Sequence, residues 1–170
     1  MKEASSMMTT AVRLGDGSVY LLYIGGDVLG QKTFISQKLN SRFLYKEISK
    51  NKYAVYSWIQ FDDEVKGYDK ATKTVMNIPG YIDGHKIEVI AAEFTRGCIG
   101  VSKVTIPNTV TEIRRGAFIY TKRIQSISIS SSVNKIADDV FSGNNCLKFT
   151  VDSNNKYFQA INGDLYSKDG

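Results

Sequence analysis

"VTIPNTVTEIRRGAF" spans Val104–Phe118, and "ISISSSVNKIADDVF" spans Ile127–Phe141. Their polar letters scarcely agree. Their apolar letters do: Val104/Ile127, Ile106/Ile129, Val110/Val133, Ile113/Ile136, Phe118/Phe141 and Ile124/Leu147 each lie 23 residues apart. A fixed period in this range marks stacked repeats. One repeat cannot bury its own apolar side, but stacked repeats share a core. Inward positions are therefore constrained and outward letters drift.

The pattern runs in both directions. "KFTVDSNNKYF" continues it, with Phe149 and Val151 in the places of Ile127 and Ile129 after a one-residue deletion. Upstream, "VMNIPGYIDGHKIEVIAAEF" supplies Ile78, Ile87, Ile90 and Phe94, with "YIDGH" inserted as an extra loop. About three and a half rungs are expected between Thr74 and Gly170. Each opens on a short alternating segment, which reads as a half-buried strand: Val104–Ile106, Ile127–Ile129 and Phe149–Val151. Pro79 and Pro107 lack an N–H and close their strands. "RRGAF" and "ADDVF" are too short for a full helix and read as turns that end on an inward phenylalanine.

Residues 1–70 do not repeat. Val12–Leu14 and Val19–Ile24 flank Gly15-Asp16-Gly17, a hairpin signal. Asp27 is placed to cap a helix over about 28–41, with Leu29, Phe34, Ile35 and Leu39 on one side. Phe43–Ile48 and Tyr53–Phe61 read as two strands around "SKNK". The expectation is a small α+β unit that covers the open end of the rungs, or a binding module of its own.

Several motifs bear on chemistry. "GGDVLGQKT" resembles a phosphate loop, but Gln31 displaces Lys32 by one place, about 100° on a helix. A nucleotide-binding N-terminal unit is thus a minor alternative. His85, the only histidine, is expected to be exposed in its loop. A thiol–imidazole pair with Cys98 lacks a third group. One histidine with Cys98 and Cys146 gives no zinc spacing, and Asp62-Asp63-Glu64 lacks the pattern of a calcium loop. Trp58, with Tyr53 and Tyr56, suits packing on an alternating strand. No cofactor or metal is expected, and no enzyme activity.

From "IPGYIDGHKIEVIAAEF" to "NGDLYSKDG", about residues 66–170, the chain resembles the BspA-like leucine-rich repeats. Their rung reads roughly I-x-I-P-x-x-V-x-x-I-x-x-x-A-F, and "I-D-G" at Ile82-Asp83-Gly84 and "N-x-x-Y/F … G-x-L-Y" at Asn155, Phe158, Gly163, Leu165 and Tyr166 look similar. Glu93 and Val140 stand where alanine is usual, and the asparagine ladder of longer leucine-rich repeats is missing. The resemblance implies a right-handed solenoid with a parallel sheet following the α+β unit. It also implies a cell-surface or secreted protein that binds another protein, and it carries over no catalytic residue.

The 170 residues are 42% hydrophobic with net charge +5. That suffices for a core, and the charge forms no basic stripe, so nucleic-acid binding is not expected. No apolar run reaches the roughly 18 residues of a membrane span. The opening MKEASSMMTT shows no apolar run typical of a signal peptide, so these letters alone also allow a cytoplasmic protein.

The function expected is a non-catalytic, adhesion-type interaction module that recognises a protein or glycan, with a structural spacer as the alternative. The candidate face is the outward side of the rung strands: Lys103, Thr105, Ser126, Ser128, Lys148 and Thr150. "INGDLYSKDG" reads as a closing hairpin that leaves an apolar end, so a homodimer through the last rung is a further expectation. Cys98 and Cys146 fall two rungs apart, roughly 10 Å, beyond the about 7 Å a disulfide spans. Alkylation of the denatured, unreduced chain should therefore add two groups; no mass shift would show a bridge.

Overall fold

The computed structural model describes residues 8–13, 19–26, 32–39, 43–58, 74–95, 101–121, 123–144 and 147–169. Cys98, Cys146, Asp27 and Asp62–Glu64 lie outside them. The chain forms two compact units, Met1–Arg42 and Phe43–Gly170. The hairpin after residue 42 hydrogen-bonds into the repeat.

In the first unit, β1 (Met8–Arg13), β2 (Val19–Gly26) and β3 (Lys32–Leu39) form an antiparallel sheet in that order. The hairpin of β1 and β2 agrees with the sequence reading. The helix over 28–41 does not: β3 pairs with β2 along its whole length, from Val19↔Leu39 to Gly26↔Lys32. Thr33-Phe34-Ile35 favours a strand, and a long antiparallel partner satisfies the backbone that a helix would have satisfied locally. The described residues contain no helix, so the α+β expectation is corrected to all-β. The phosphate-loop reading loses its helix as well, since Lys32 opens a strand.

The second unit begins with β4 (Phe43–Ser49) and β5 (Lys52–Trp58). β6 (Thr74–Asn77), β9 (Val101–Thr105), β11 (Ser126–Ile129) and β13 (Lys148–Val151) form one parallel sheet. β8 (His85–Ile90), β10 (Glu112–Ile113) and β12 (Lys135–Ile136) form a second. Each of the first three repeats thus gives one strand to each sheet, with a corner between, and β13 joins the first sheet alone. β5 joins the second sheet parallel to β8, and β4 runs antiparallel outside it. Phe43, Val55 and Trp58 belong to the same core as the rungs.

The inserted "YIDGH" is a two-residue hairpin. β7 (Tyr81–Ile82) pairs with the start of β8, and Asp83 and Gly84 both have positive φ, 50° and 81°. That is the turn whose twist matches the strands it joins. His85 is therefore not on an exposed loop. It is half-buried, with its ring centroid 4.2 Å from that of Tyr53 and 5.8 Å from that of Tyr45. The Tyr45 hydroxyl donates to the Asp83 carboxylate at 3.0 Å. Burial, and next this bond, hold the Tyr45 phenol above its ordinary range.

Between the sheets lies the core read from the 23-residue pairs. Val104, Val110, Ile113, Phe118, Ile127 and Val133 are fully buried. Phe118 stands in a column of rings: Phe43–Phe94 at 6.3 Å, Phe94–Phe118 at 6.0 Å, Phe118–Phe141 at 5.9 Å and Phe141–Phe149 at 4.7 Å. The corners are tied by carbonyls that accept from the next rung. Ser130 Oγ donates to Pro107 O at 2.9 Å and Ser132 Oγ to Val110 O at 2.7 Å. Asn144 Nδ2 donates to Phe118 O at 2.6 Å and to Phe141 O at 2.8 Å. A buried carbonyl left unpaired costs about 1–3 kcal/mol, so these short polar side chains are part of the frame.

The last rung is not bare. β14 (Phe158–Ile161) and β15 (Asp164–Ser167) form a hairpin whose Gly163 carbonyl accepts the Phe149 N–H at 2.8 Å. Phe158 and Leu165 pack on the core. Buried Asn155 anchors the approach: its Nδ2 donates to the carbonyls of Ser130 and Val133, and its Oδ1 accepts the N–H groups of Tyr157 and Phe158. The hairpin folds back onto β13, which remains the edge strand of its sheet.

Phe118→Ala should cost about 3–5 kcal/mol, as a cavity forms in the ring column. Arg115, whose side chain is 79% exposed, should tolerate alanine within about 0.5 kcal/mol. Thermal melts of the two variants check this, and equal melting temperatures would contradict the register.

Candidate functional site

The four strands of the first sheet alternate inward and outward. Val104, Ile127 and Ile129 point into the core; their neighbours point out. Strand register then aligns the six candidate residues in two rows. Ser126 pairs with Lys103 on one side and Lys148 on the other. Ser128 pairs with Thr105 and Thr150. β6 extends both rows, since Val75 pairs with Lys103 and Asn77 with Thr105. The six sequence candidates lie on three strands; β6, the strand that Pro79 closes, adds a fourth pair of positions.

The two rows differ in chemistry. Asn77, Thr105, Ser128 and Thr150 make a flat line of short hydrogen-bonding groups, with Thr150 Oγ1 donating to Ser128 Oγ at 2.9 Å. Val75, Lys103, Ser126 and Lys148 make a taller, basic line. Lys148 is partly engaged: its Nζ lies 3.6 Å from the Asp164 carboxylate and donates to Asn162 O at 3.3 Å. The hydroxyl row opens, at the carboxyl ends of β9, β11 and β13, into a groove of about 480 Å³ that Pro107, Asn108 and Asp152 border.

Nothing on this face is arranged as a nucleophile with its base, and among the described residues no group of three or more His, Cys, Asp or Glu could hold a metal ion. No helix among them is long and apolar enough to cross a membrane. What the face can do is donate and accept hydrogen bonds in a regular two-row pattern. Trp58 is buried and Tyr53 half-buried, so of the three aromatics on β5 only Tyr56 reaches the surface.

Sequence reading missed a second concavity on the turn side of the rungs, about 690 Å³, lined by Glu93, Arg115, Gly116, Tyr120 and Asp139 among others. The signal was present as the 23-residue offsets Gly116/Asp139 and Tyr120/Gly143. These positions are polar or glycine, so an apolar alignment passes over them.

Residues 81–162 match the family model described as a BspA type leucine rich repeat region (6 copies). No curated protein matches the sequence. Among solved structures, a leucine-rich repeat protein from Bacteroides ovatus is 17% identical with a TM-score of 0.43, over 66% of this chain and 36% of its own. One from Eubacterium ventriosum is 17% identical with a TM-score of 0.31, over 95% and 49%. The pneumococcal vaccine antigen PcpA is 12% identical with a TM-score of 0.33, over 96% and 55%. The chain thus spans between about a third and just over half of the length of these proteins. The matched stretch, residues 81–162, supplies most of both parallel sheets.

Proposed function

We propose that the chain is a non-catalytic protein-recognition module of a cell-surface or secreted repeat protein, and that it meets its partner through the outward face of the first sheet. One observation carries this reading: the cross-strand register that aligns Asn77, Thr105, Ser128 and Thr150 beside Val75, Lys103, Ser126 and Lys148. Short side chains let a partner's backbone approach closely. Within each row the side chains repeat at the strand spacing, about 4.8 Å, which suits a polypeptide that offers its own donors and acceptors at regular intervals.

A polypeptide is favoured over a glycan because none of these eight residues is aromatic, so a sugar ring finds no stacking platform here. The spacer reading differs in one respect: the face would then meet only solvent. Adhesion is one use of such a module, and the same face would serve any stable pairing of surfaces.

The test uses the native chain, Ser128→Arg and a distant control, Lys156→Ala, as immobilised baits for proteins of the cell surface and its surroundings. Ser128 is an outward, half-buried hydroxyl, so arginine there should leave the melting temperature nearly unchanged while standing up from the flat row. A partner held by native chain and control, purified and remeasured, should bind Ser128→Arg at least tenfold more weakly. Equal binding by all three would remove the sheet face as the site. Capture of no protein by any of them would favour the spacer, and loss of capture after deglycosylation of the partner would favour a glycan.

A further inference from the structure

We propose that the turn-side groove is a second recognition site, one that takes an arginine or lysine side chain of a partner protein. Three successive rungs place one residue each at the same left-handed turn position: Glu93 with φ 54°, Gly116 with φ 63° and Asp139 with φ 57°. Glycine adopts this conformation without a steric penalty, yet only the middle rung uses it. The flanking rungs carry carboxylates instead. With no side chain at Gly116, a gap opens between them, and the groove of about 690 Å³ lies there. Two rungs separate the carboxylate-bearing residues, about 10 Å along the stack, so side chains from both can turn toward one cation in the gap.

The aromatic wall is independent of the acids. Tyr120 occupies a second left-handed position, φ 55°, which the next rung fills with Gly143 at φ 73°. Its ring lies over Gly143, where any side chain would collide with it. Tyr120 is nevertheless 71% exposed, so the ring adds little to the core and presents a face at the groove's rim. An aromatic face beside carboxylates is the chemistry that holds a guanidinium or ammonium group, and exposed tyrosines are common anchors of protein contacts.

The groove already shows its preference. The Arg115 guanidinium sits 3.2 Å from the Asp139 carboxylate, with the two side chains 79% and 51% exposed. Such an exposed pair is held weakly, so an incoming cation can displace it. Arg115 acts as an internal competitor for the site.

The experiment is a nuclear magnetic resonance titration of the full chain with N-acetyl-arginine amide, against its neutral isostere N-acetyl-citrulline amide. Saturable shifts are expected at Gly116, Tyr120 and Gly143 with the arginine probe, and at least tenfold weaker binding of the citrulline probe. The double variant Glu93→Gln, Asp139→Asn should abolish the response; asparagine tolerates the left-handed conformation, and unchanged signals elsewhere verify the fold. Tyr120→Leu should weaken binding at least threefold. Arg115→Ala should tighten it at least twofold, the outcome a merely structural role would not give. Shifts of equal size with citrulline, shifts scattered over the surface, no saturable shift at all, or weaker binding by Arg115→Ala would each overturn the proposal. Ser128→Arg should leave this titration unaltered, so the result stands apart from the sheet-face reading.

Discussion

A single short rung has too little chain to enclose an apolar side, and the rest of the structure follows from that shortage. Phe118 is buried only because Phe94 and Phe141, from the rungs on either side, stand within about 6 Å of it. The ring column reaches from Phe43 on the first hairpin to Phe149 in the last rung. Where the neighbours are incomplete, burial falls: Ile136, Phe141 and Phe149 are only partly covered, while Ile113, Phe118 and Ile127 are wholly so. The hairpins at the two ends, β4–β5 and β14–β15, supply part of what a further rung would supply.

The same stacking also creates the surfaces. Parallel strands in strict register turn a one-residue feature into a row, so a hydroxyl at one outward position becomes the line from Asn77 to Thr150. At the corners the backbone must reverse within a few residues. The left-handed positions this requires line up in columns, and a column interrupted by Gly116 becomes a groove. Neither surface needs a specialised loop. Both are products of repetition with one departure, small residues on the sheet and a glycine between two acids on the turn. Their chemistry differs: neutral and basic on one, acidic and aromatic on the other.

Polar ties explain why the corners hold. Serine and asparagine side chains reach back to carbonyls of the preceding rung, so turns with little regular hydrogen bonding remain satisfied. Asn144 and Asn155 make such ties at unlike positions of their rungs, so they form no ladder. A consensus pattern tracks letters at fixed offsets, whereas a carbonyl accepts equally from serine, threonine or asparagine, and from slightly different places.

What the sequence determined by itself was the repeat: its period, its inward residues and its strand ends at Pro79 and Pro107. These depend on local geometry and on burial, and both leave marks in the order of apolar residues. Tertiary structure decided the rest. Residues 32–39 read as a helix from their spacing and became a strand, because β2 offered eight partners in register, a long-range gain no local pattern contains. His85 read as a loop residue and became part of a ring cluster, because β4 and β5 brought Tyr45 and Tyr53 to it from more than thirty residues away. The turn-side groove was invisible for a related reason. It is made by what Gly116 lacks, and an absent side chain acquires meaning only when the rungs on either side are set against it.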